Sequence, residues 1–317
     1  MWRRGALVVL VGVLAAGLLP AGGVSEDEAV PDEVRLTLFL GPTALGFIPL
    51  LEAGEVGGVP LSYELVPQPD VAVSRILAGE TDVAALPVNL AARLYNGGAD
   101  YRMAAMYLWG LLYLVAPEPV TLEGLAGRRV YVPGKGATPD LVFRFLLEKR
   151  GIEGVELDYS LPPAGLAQAV AAGKVDYALL PEPFVSRVLA LREDLVVALD
   201  LQAEWEREVG TPLTQTCIVV KGEFLEHHPA FWKEVRRAIE ESIHQVVADP
   251  DATASSPVVE KLGLTADLAR AAIPRCRLSY VPAREARQAV EAYLGVLLEY
   301  APGSVGGALP PAEWYVE

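Results

Sequence analysis

"AGETDVAALP" at residues 78–87 returns as "AGKVDYALLP" at residues 172–181, so the pattern A-G-x-x-D-x-A-x-L-P occurs twice, 94 residues apart. Each copy contains a glycine that can end a helix. An aspartate, a short apolar run typical of a buried strand, and a proline that closes the strand follow in both copies. The recurrence predicts one helix–strand unit that the chain uses twice.

A second matched pair lies upstream of these copies. "LFLGPTALG" (38–46) places Thr43 after a strand, and "VYVPGKGATPD" (130–140) places Thr138 after a strand 95 residues later. Two patterns that recur at almost the same distance are improbable by chance. They predict two similar lobes, each with the order βαβαβ.

The glycine-rich turn of the second copy is not a nucleotide-binding P-loop. That motif, G-x-x-x-x-G-K-[S/T], requires a glycine five residues before its glycine–lysine pair and a hydroxyl after the lysine. Here Arg129 stands five residues before Gly134, and Gly136 follows Lys135. We therefore exclude nucleotide hydrolysis at this turn.

The order of strands and helices predicts where the lobes begin and end. Alternating βαβα elements predict a mostly parallel sheet, with a ligand site beyond the carboxyl ends of its strands. The longest strand-like runs, residues 103–116 and 213–221, bracket the second copy and are interpreted as two hinge crossover strands. We predict an α/β fold with lobe 1 at 31–112 and 218–317, and lobe 2 at 113–217.

The last third of the chain has a helical pattern. Apolar residues recur at a spacing of three to four between residues 229 and 250, which predicts an amphipathic helix. Further helices are predicted at 257–262, 265–273 and 283–300. These helices are expected to complete lobe 1.

The N-terminus resembles a secretory signal at residues 1–23. Two arginines precede an apolar run (6–19), and small residues precede a cut after Gly23. The run is too short to span a bilayer comfortably, and a buried helix is the alternative interpretation. Because no cysteine lies near the cut, no lipid anchor is encoded, and we expect a soluble periplasmic protein.

The chain is strongly acidic. Its formal net charge is −15, and loss of the two arginines of the signal takes this to −17. Such a balance argues against nucleic acid and anionic membranes as partners.

The two strand-to-helix turns supply the first candidate ligand groups. A helix N-terminus has unpaired backbone N–H groups and a partial positive charge, so it can bind an anion or a polar ring edge. Thr43 with Ala44, and Thr138 with Gly136 and Ala137, stand at these turns. Ordinary helix capping by the threonines is the alternative.

The loops after the repeated strands supply the next candidates. "LPVNL" offers Asn89, which can donate and accept, and "LPEPF" offers Glu182, which can accept from an amino or ring N–H group. Helix capping alone explains both residues equally well. In the first crossover Tyr107, Trp109 and Tyr113 alternate with apolar residues. The three rings either form a stacking wall for a planar ligand or belong to the core. Trp109 is the ring that we expect in the cleft.

Signals for catalysis and metal binding are weak in the sequence. The three histidines are His227, His228 and His244, and neither H-E-x-x-H, C-x-x-C nor G-x-S-x-G occurs. Cys217 and Cys276 are the only cysteines. In an oxidising compartment they are either bridged or two separate buried thiols, and spacing does not decide.

Several segments together resemble a known superfamily. "GPTALG", "LPVNLAARLYNGG", "WGLLYLV", "GKGATPD", "LPEPFVSRVL", "CIVVKGEFLEHHP" and "IPRCRLSY" occur in order over about residues 34–310. They resemble ABC-transporter substrate-binding proteins of the nitrate/sulfonate/taurine and thiamine-pyrimidine-precursor superfamily. The resemblance implies a type II periplasmic-binding-protein fold, a cleft ligand without a cofactor, a monomer, and a permease and ATPase complex as partner. It also implies a Cys217–Cys276 disulfide.

The resemblance leaves the ligand and the activity open. A thiamine-pyrimidine-like or other small heteroaromatic compound is our first expectation, and an alkanesulfonate or another oxyanion is the second. The same superfamily contains a pyrimidine synthase that uses a lysine, a histidine and a cysteine-rich segment, whereas this chain has no histidine before residue 227 and no cysteine cluster. It also contains chorismate dehydratase-like menaquinone enzymes, which are cytoplasmic, whereas this chain is expected to be exported. We therefore expect a non-enzymatic binding protein, with a precursor synthase or lyase, or a sensory module, as alternatives.

Overall fold

Two sheets divide the strands between two lobes. The computed structural model describes residues 30–317, so the predicted signal at residues 1–23 lies outside the described residues. Lobe 1 contains a seven-stranded sheet and lobe 2 a five-stranded sheet. The strands are β1 (Val34–Phe39), β2 (Glu55–Val56), β3 (Val59–Val66), β4 (Val83–Pro87), β5 (Tyr101–Leu108), β6 (Leu112–Ala116), β7 (Arg129–Tyr131), β8 (Glu156–Asp158), β9 (Ala178–Pro181), β10 (Val196–Asp200), β11 (Thr216–Lys221) and β12 (Leu278–Pro282).

Helices cover both faces of the two sheets. They are α1 (Pro42–Leu45), α2 (Ile48–Ala53), α3 (Pro69–Leu77), α4 (Val88–Asn96), α5 (Thr138–Lys149), α6 (Pro163–Ala171), α7 (Phe184–Leu191), α8 (Leu201–Val209), α9 (Gly222–His227), α10 (Pro229–Ala248), α11 (Pro250–Ala254), α12 (Val258–Lys261), α13 (Ala266–Ala272) and α14 (Ala283–Tyr300). Short 3₁₀ turns occur at Glu123–Leu125, Ile273–Cys276, Pro302–Ser304 and Ala312–Trp314.

The two sheets repeat one topology, as the sequence repeat predicts. The order β12–β5–β11–β4–β1–β3–β2 contains three parallel neighbours, β4–β1–β3, and the order β10–β6–β9–β7–β8 contains the equivalent trio β9–β7–β8. In each lobe an antiparallel strand, β11 or β6, pairs with the repeated strand. The prediction of an α/β fold with two similar lobes is confirmed.

The repeated stretches adopt the predicted local structure. Gly79 and Gly173 follow their helices with φ of 72° and 69°, a region that glycine enters without a side-chain clash. The strands β4 and β9 then run to Pro87 and Pro181. The two copies therefore place the residues after the proline at the same edge of each sheet.

The crossovers differ from the prediction. The run 103–116 is not one strand: β5 ends at Leu108 and β6 begins at Leu112 in the other sheet, so residues 109–111 cross between lobes. The second crossing occupies 210–215, between α8 and β11. A continuous strand is impossible here because its two halves pair in different sheets. The predicted lobe boundaries stay a prediction.

Gly110 is required at the first crossing. A Cβ there would lie 2.9 Å from both the Arg277 Cδ and the Gln202 Cγ. Gln202 fixes the crossing, because its Oε1 accepts from the backbone N–H groups of Leu111 (3.3 Å) and Leu112 (2.9 Å). The close approach of three segments therefore leaves no room for a side chain.

The predicted C-terminal helices are present. The amphipathic helix α10 buries the spaced residues Phe231, Val235, Ile239, Ile243 and Val246 against lobe 1. The helix predicted at 283–300 forms α14, whereas α11 and the edge strand β12 were not predicted. Among residues 30–317 no helix is both long and apolar enough to cross a membrane.

The disulfide implied by the resemblance is not present. Cys217 and Cys276 are free, buried thiols. Cys217 belongs to the apolar cluster on one face of the seven-stranded sheet, with Leu86 and Met106, and Cys276 belongs to the cluster on the other face, with Tyr107. The sheet separates the two sulfur atoms, and burial raises the pKa of both thiols.

Candidate functional site

The carboxyl ends of the parallel strands bring the two lobes together. The strand β9 ends beside the first crossing, where the backbone N–H of Glu182 donates to the Leu111 carbonyl at 2.8 Å. The Thr138 hydroxyl at the start of α5 lies 3.1 Å from the Tyr293 hydroxyl of α14. Thr138 and Glu182, which follow β7 and β9, therefore lie where the two lobes are in contact.

Thr138 does not cap its helix. It is the first residue of α5, whose N-cap is Ala137, and no side chain caps this position. Its hydroxyl is held by Tyr293, a fully buried residue whose pKa burial raises to about 12. Thr138 therefore sits at a lobe–lobe contact, while Gly136 and Ala137 are exposed.

The N-terminus of α5 already contains a carboxylate. The Asp140 side chain is fully buried, and its Oδ2 accepts from the Gly136 backbone N–H at 2.7 Å. Its Oδ1 accepts from Arg144 Nε at 2.9 Å and from the Tyr159 hydroxyl at 2.8 Å. The first turn of α5 therefore contains a carboxylate of the protein itself, next to the positive end of the helix dipole. Asp140 was not among the predicted ligand residues.

Glu182 places a second carboxylate of lobe 2 at the N-terminus of α7. Its buried carboxylate accepts from the Ser186 backbone N–H (3.1 Å) and from the Ser186 hydroxyl (2.9 Å). Arg275 Nη1 of lobe 1 lies 3.8 Å from Glu182 Oε1 and donates to the Ser186 hydroxyl at 3.0 Å. Burial raises the pKa of Glu182 to about 7. Of the two interpretations of Glu182, these contacts match helix capping.

The turn with Thr43 and Ala44 is short. The helix α1 has four residues and begins after Gly41, so it supplies little of the charge of a full helix N-terminus. The Tyr107 hydroxyl donates to the Thr43 carbonyl at 2.6 Å, and Ala44 is fully buried. Tyr107 is core, and the Tyr113 hydroxyl donates to the Arg275 carbonyl, so the aromatic stripe ties segments together.

Asn89 keeps its side chain available. It is the second residue of α4, whose N-terminus has no side-chain cap. Its side chain is partly exposed and forms no hydrogen bond within residues 30–317. The preceding residue, Val88, donates its backbone N–H to the Gln215 carbonyl at 3.1 Å, so Asn89 lies beside the second crossing.

Thr214 and Gln215 are candidates that the sequence analysis missed. Thr214 is fully buried and Gln215 is 8% exposed, yet Thr214 Oγ1 and Gln215 Nε2 have no hydrogen-bond partner in the described part of the chain. An unpaired buried polar group is unfavourable by about 1–3 kcal/mol, so a ligand that binds it gains that amount. The polar letters T-Q-T inside an apolar strand-like run were the available signal.

Trp109 lies apart from the other candidates. Its Nε1 donates to the Ser279 carbonyl at 2.8 Å, and its side chain lines a cavity of about 630 Å³ between α8, β12 and α14. None of the other predicted site residues lines that cavity. Within the described residues no cluster of three or more His, Cys, Asp or Glu side chains could hold a metal ion.

The combined geometry has a chemical consequence. Lobe 2 has the carboxylates of Asp140 and Glu182 at the N-terminal ends of α5 and α7, and lobe 1 has the partly exposed amide of Asn89 and the buried, unpartnered groups of Thr214 and Gln215. Such groups can donate to carbonyl oxygens or ring nitrogens, and they can accept from amino groups. The arrangement suits a neutral or amino-bearing molecule better than a small anion.

Comparison with protein families and solved structures identifies proteins that are similar to this chain. Residues 45–297 match the family described as Menaquinone biosynthesis. A search of curated proteins found no match. An ABC transporter structure from Parabacteroides distasonis is 30% identical, with a TM-score of 0.80 over 90% of this chain and 99% of its own.

Two more distant structures share the fold. The periplasmic aliphatic sulphonate-binding protein SsuA from Escherichia coli is 17% identical, with a TM-score of 0.71 over 91% of this chain and 92% of its own. The ligand-binding component of an ABC-type import system from Staphylococcus aureus, solved with zinc bound, is 12% identical, with a TM-score of 0.69 over 90% and 97%. The chain therefore belongs to the family described as Menaquinone biosynthesis, is similar to an ABC transporter structure, and shares the fold of a periplasmic binding protein.

Proposed function

We propose that this protein is the substrate-binding component of an ABC importer. It captures a small heteroaromatic solute, such as a compound like the aminopyrimidine of thiamine, in the cleft between the lobes. After export and cleavage of the signal, the monomer works in the periplasm. Closure about the two crossings buries the ligand, and the closed form delivers it to a membrane permease with its ATPase.

One observation carries the choice of ligand: carboxylates lie at the N-terminal ends of α5 and α7 in lobe 2, and no acidic residue lies in the first turn of α4. An oxyanion that bound at α5 would have to displace Asp140 from the Gly136 N–H, and at α7 it would meet the Glu182 carboxylate. At α4 the amide of Asn89 and the unpartnered Gln215 Nε2 are neutral. A flat, uncharged ring with acceptor nitrogens and an amino group complements these atoms without displacing a carboxylate.

An oxyanion is the second candidate, because SsuA, which shares the fold, is a sulphonate-binding protein. The open N-terminus of α4 is the place where a sulfonate would bind, since backbone N–H groups there face no carboxylate of their own helix. This candidate requires affinity for an anion without a cationic side chain in the first turn of α4, since Arg93 lies in its last turn.

An enzyme is the third candidate, because the matched family is described as Menaquinone biosynthesis. Glu182, whose pKa burial raises to about 7, is in the range that suits a general base. Both of its oxygens accept from Ser186, so it would have to leave those bonds to act. Product formation from chorismate, lost in Glu182→Gln, would establish this candidate in place of the importer.

Calorimetry on the mature protein separates the first two candidates. We expect the aminopyrimidine of thiamine to bind and to raise the melting temperature, and ethanesulfonate and nitrate to give no heat. Asn89→Ala should weaken the pyrimidine about tenfold, the effect of one lost hydrogen bond to a buried ligand. Tight binding of ethanesulfonate by the wild type, with no binding of the pyrimidine, would replace the heteroaromatic proposal with the oxyanion.

A further inference from the structure

We propose that the cavity at the hinge is a second binding site, for a small aromatic cation, separate from the cleft that contains Asn89. The cavity has a volume of about 630 Å³, a size typical of small-molecule sites. Its walls are the end of α8 with residues 210–212 on one side, and β12 with the first turns of α14 on the other. An occupant would therefore touch both lobes behind the cleft.

Trp109 supplies a flat apolar surface in this cavity. Its Nε1 is fixed by the Ser279 carbonyl at 2.8 Å, which sets the orientation of the ring. The side chain is partly exposed, and within residues 30–317 its ring pairs with no other aromatic ring or cation. Leu278, Val281 and Ala286 line the same cavity. A free tryptophan face among apolar side chains attracts a cationic ring.

The charges of the lining favour a cation. Glu206 of α8 and Glu285 of α14 line opposite walls, both are exposed, and neither forms an ion pair in the described part of the chain. The cation among the described lining residues is Arg277, which is paired with Asp200. The cavity thus carries two uncompensated carboxylates above its apolar surface.

A buried hydroxyl completes the lining. Thr211 Oγ1 is buried and has no hydrogen-bond partner among the described residues. It can accept from an N–H or C–H edge of a bound ring. Because Thr211 belongs to the second crossing, the occupant contacts the segment that joins the lobes.

Isothermal titration with 1-methylquinolinium tests the site, with neutral 1-methyl-2-quinolone as the comparison. We expect the cation to bind about tenfold more tightly than the quinolone, and Trp109→Ala to weaken the cation at least about fivefold. Trp109→Phe keeps an aromatic ring, so its affinity for the cation should lie between those of the wild type and Trp109→Ala. This variant replaces Trp109→Ala in the test if Trp109→Ala does not fold. The double variant Glu206→Gln/Glu285→Gln should remove the preference for the cation.

Matched controls keep this test separate from the cleft. Glu299→Gln changes an exposed residue of α14, the helix of Glu285, that does not line the cavity. It should leave the affinity for the cation unchanged. Asn89→Ala should also leave it unchanged, so failure of the hinge site and failure of the cleft are distinguishable. Equal affinity for the two probes, no binding of the cation, or a preference that survives in the double variant would overturn the proposal.

Discussion

The two copies of the repeated unit share one backbone arrangement but differ in the polar side chain that follows the repeated strand. After β4 the chain enters α4 at once, with Asn89 partly exposed and no side chain on the helix N-terminus. After β9 the chain passes Glu182 and Pro183 before α7, and the buried Glu182 carboxylate binds Ser186. The repeat therefore sets where a helix N-terminus points, and a single side chain decides whether it is available.

The difference predicts different roles for the two lobes in ligand binding. In lobe 2 the Asp140 carboxylate accepts from the Gly136 N–H just before α5, and the Glu182 carboxylate accepts from the Ser186 N–H in the first turn of α7. The two carboxylates lie beside the arginines Arg144 and Arg275. In lobe 1 the corresponding position keeps a neutral amide free. We infer that lobe 2 is the preorganised wall of the cleft and that lobe 1 supplies the hydrogen bonds that select a ligand.

The largest effect that tests this comparison is a pH dependence at Glu182. Its pKa is about 7 in the folded protein, above the value of 4.5 for a free side chain, because burial disfavours the charged form. A raised pKa stabilises the fold fully below the unfolded value, and this stability is lost as the pH rises through about 7. The contribution is on the order of 3 kcal/mol, since one pKa unit is about 1.4 kcal/mol.

Urea unfolding of the wild type and Glu182→Gln between pH 4.5 and pH 8 measures this effect. The free energy of unfolding of the wild type, minus that of the variant, should fall as the pH rises. The glutamine variant is the matched control because it keeps the shape and cannot titrate. A difference that stays constant or rises with pH would show that Glu182 is not the buried cap described above.

The second effect concerns Asp140 in the first turn of α5. Asp140→Asn should lower the free energy of unfolding by about 2 kcal/mol, because Arg144 and the Gly136 N–H lose a buried carboxylate. This loss of stability is smaller than for a fully buried ion pair, because the Arg144 side chain is 40% exposed. Asp176→Asn, at an exposed aspartate of the same lobe, should change stability by less than about 0.5 kcal/mol.

Ligand affinity supplies the third effect. Asn89→Ala should weaken the aminopyrimidine about tenfold, or about 1.4 kcal/mol, without lowering the melting temperature of the free protein. Gln215→Leu is the companion variant, since it removes the unpartnered amide from the adjoining segment. If neither change altered the affinity measured by calorimetry, the open N-terminus of α4 would not be the selective surface.

The smallest expected effect comes from a variant that gives lobe 1 a carboxylate like those of lobe 2. Asn89→Asp places a carboxylate in the first turn of α4 and should raise the free energy of unfolding by about 0.3–1 kcal/mol through the helix dipole. The same change should abolish any residual affinity for ethanesulfonate by charge repulsion. A variant that is less stable, or that binds the sulfonate more tightly, would reverse the assignment of open and closed ends.

Local patterns in the sequence specify much of the fold. The double repeat predicts the two lobes and the strand–turn–helix units, and the apolar spacing predicts α10 and α14. These features depend on neighbours in sequence, which share a helix face or a strand. The break at 109–111 was not predicted, because an apolar run does not show that its halves pair in different sheets.

The site was less predictable because distant contacts decide it. Thr138 is paired with Tyr293, 155 residues away, and Ser186 with Arg275, 89 residues away. No local pattern shows that Asp140 folds back on Gly136 or that Trp109 lines a cavity that contains none of the other predicted site residues. The same reason applies to the cysteines, whose separation depends on the sheet between them.

Native mass spectrometry of the mature protein, purified without added ligand, tests the central claim most directly. The account predicts a retained neutral or amino-bearing heteroaromatic molecule, which Asn89→Ala loses during purification. A retained sulfonate or other oxyanion, still bound in Asn89→Ala, would contradict the claim that the neutral groups of lobe 1 select the ligand.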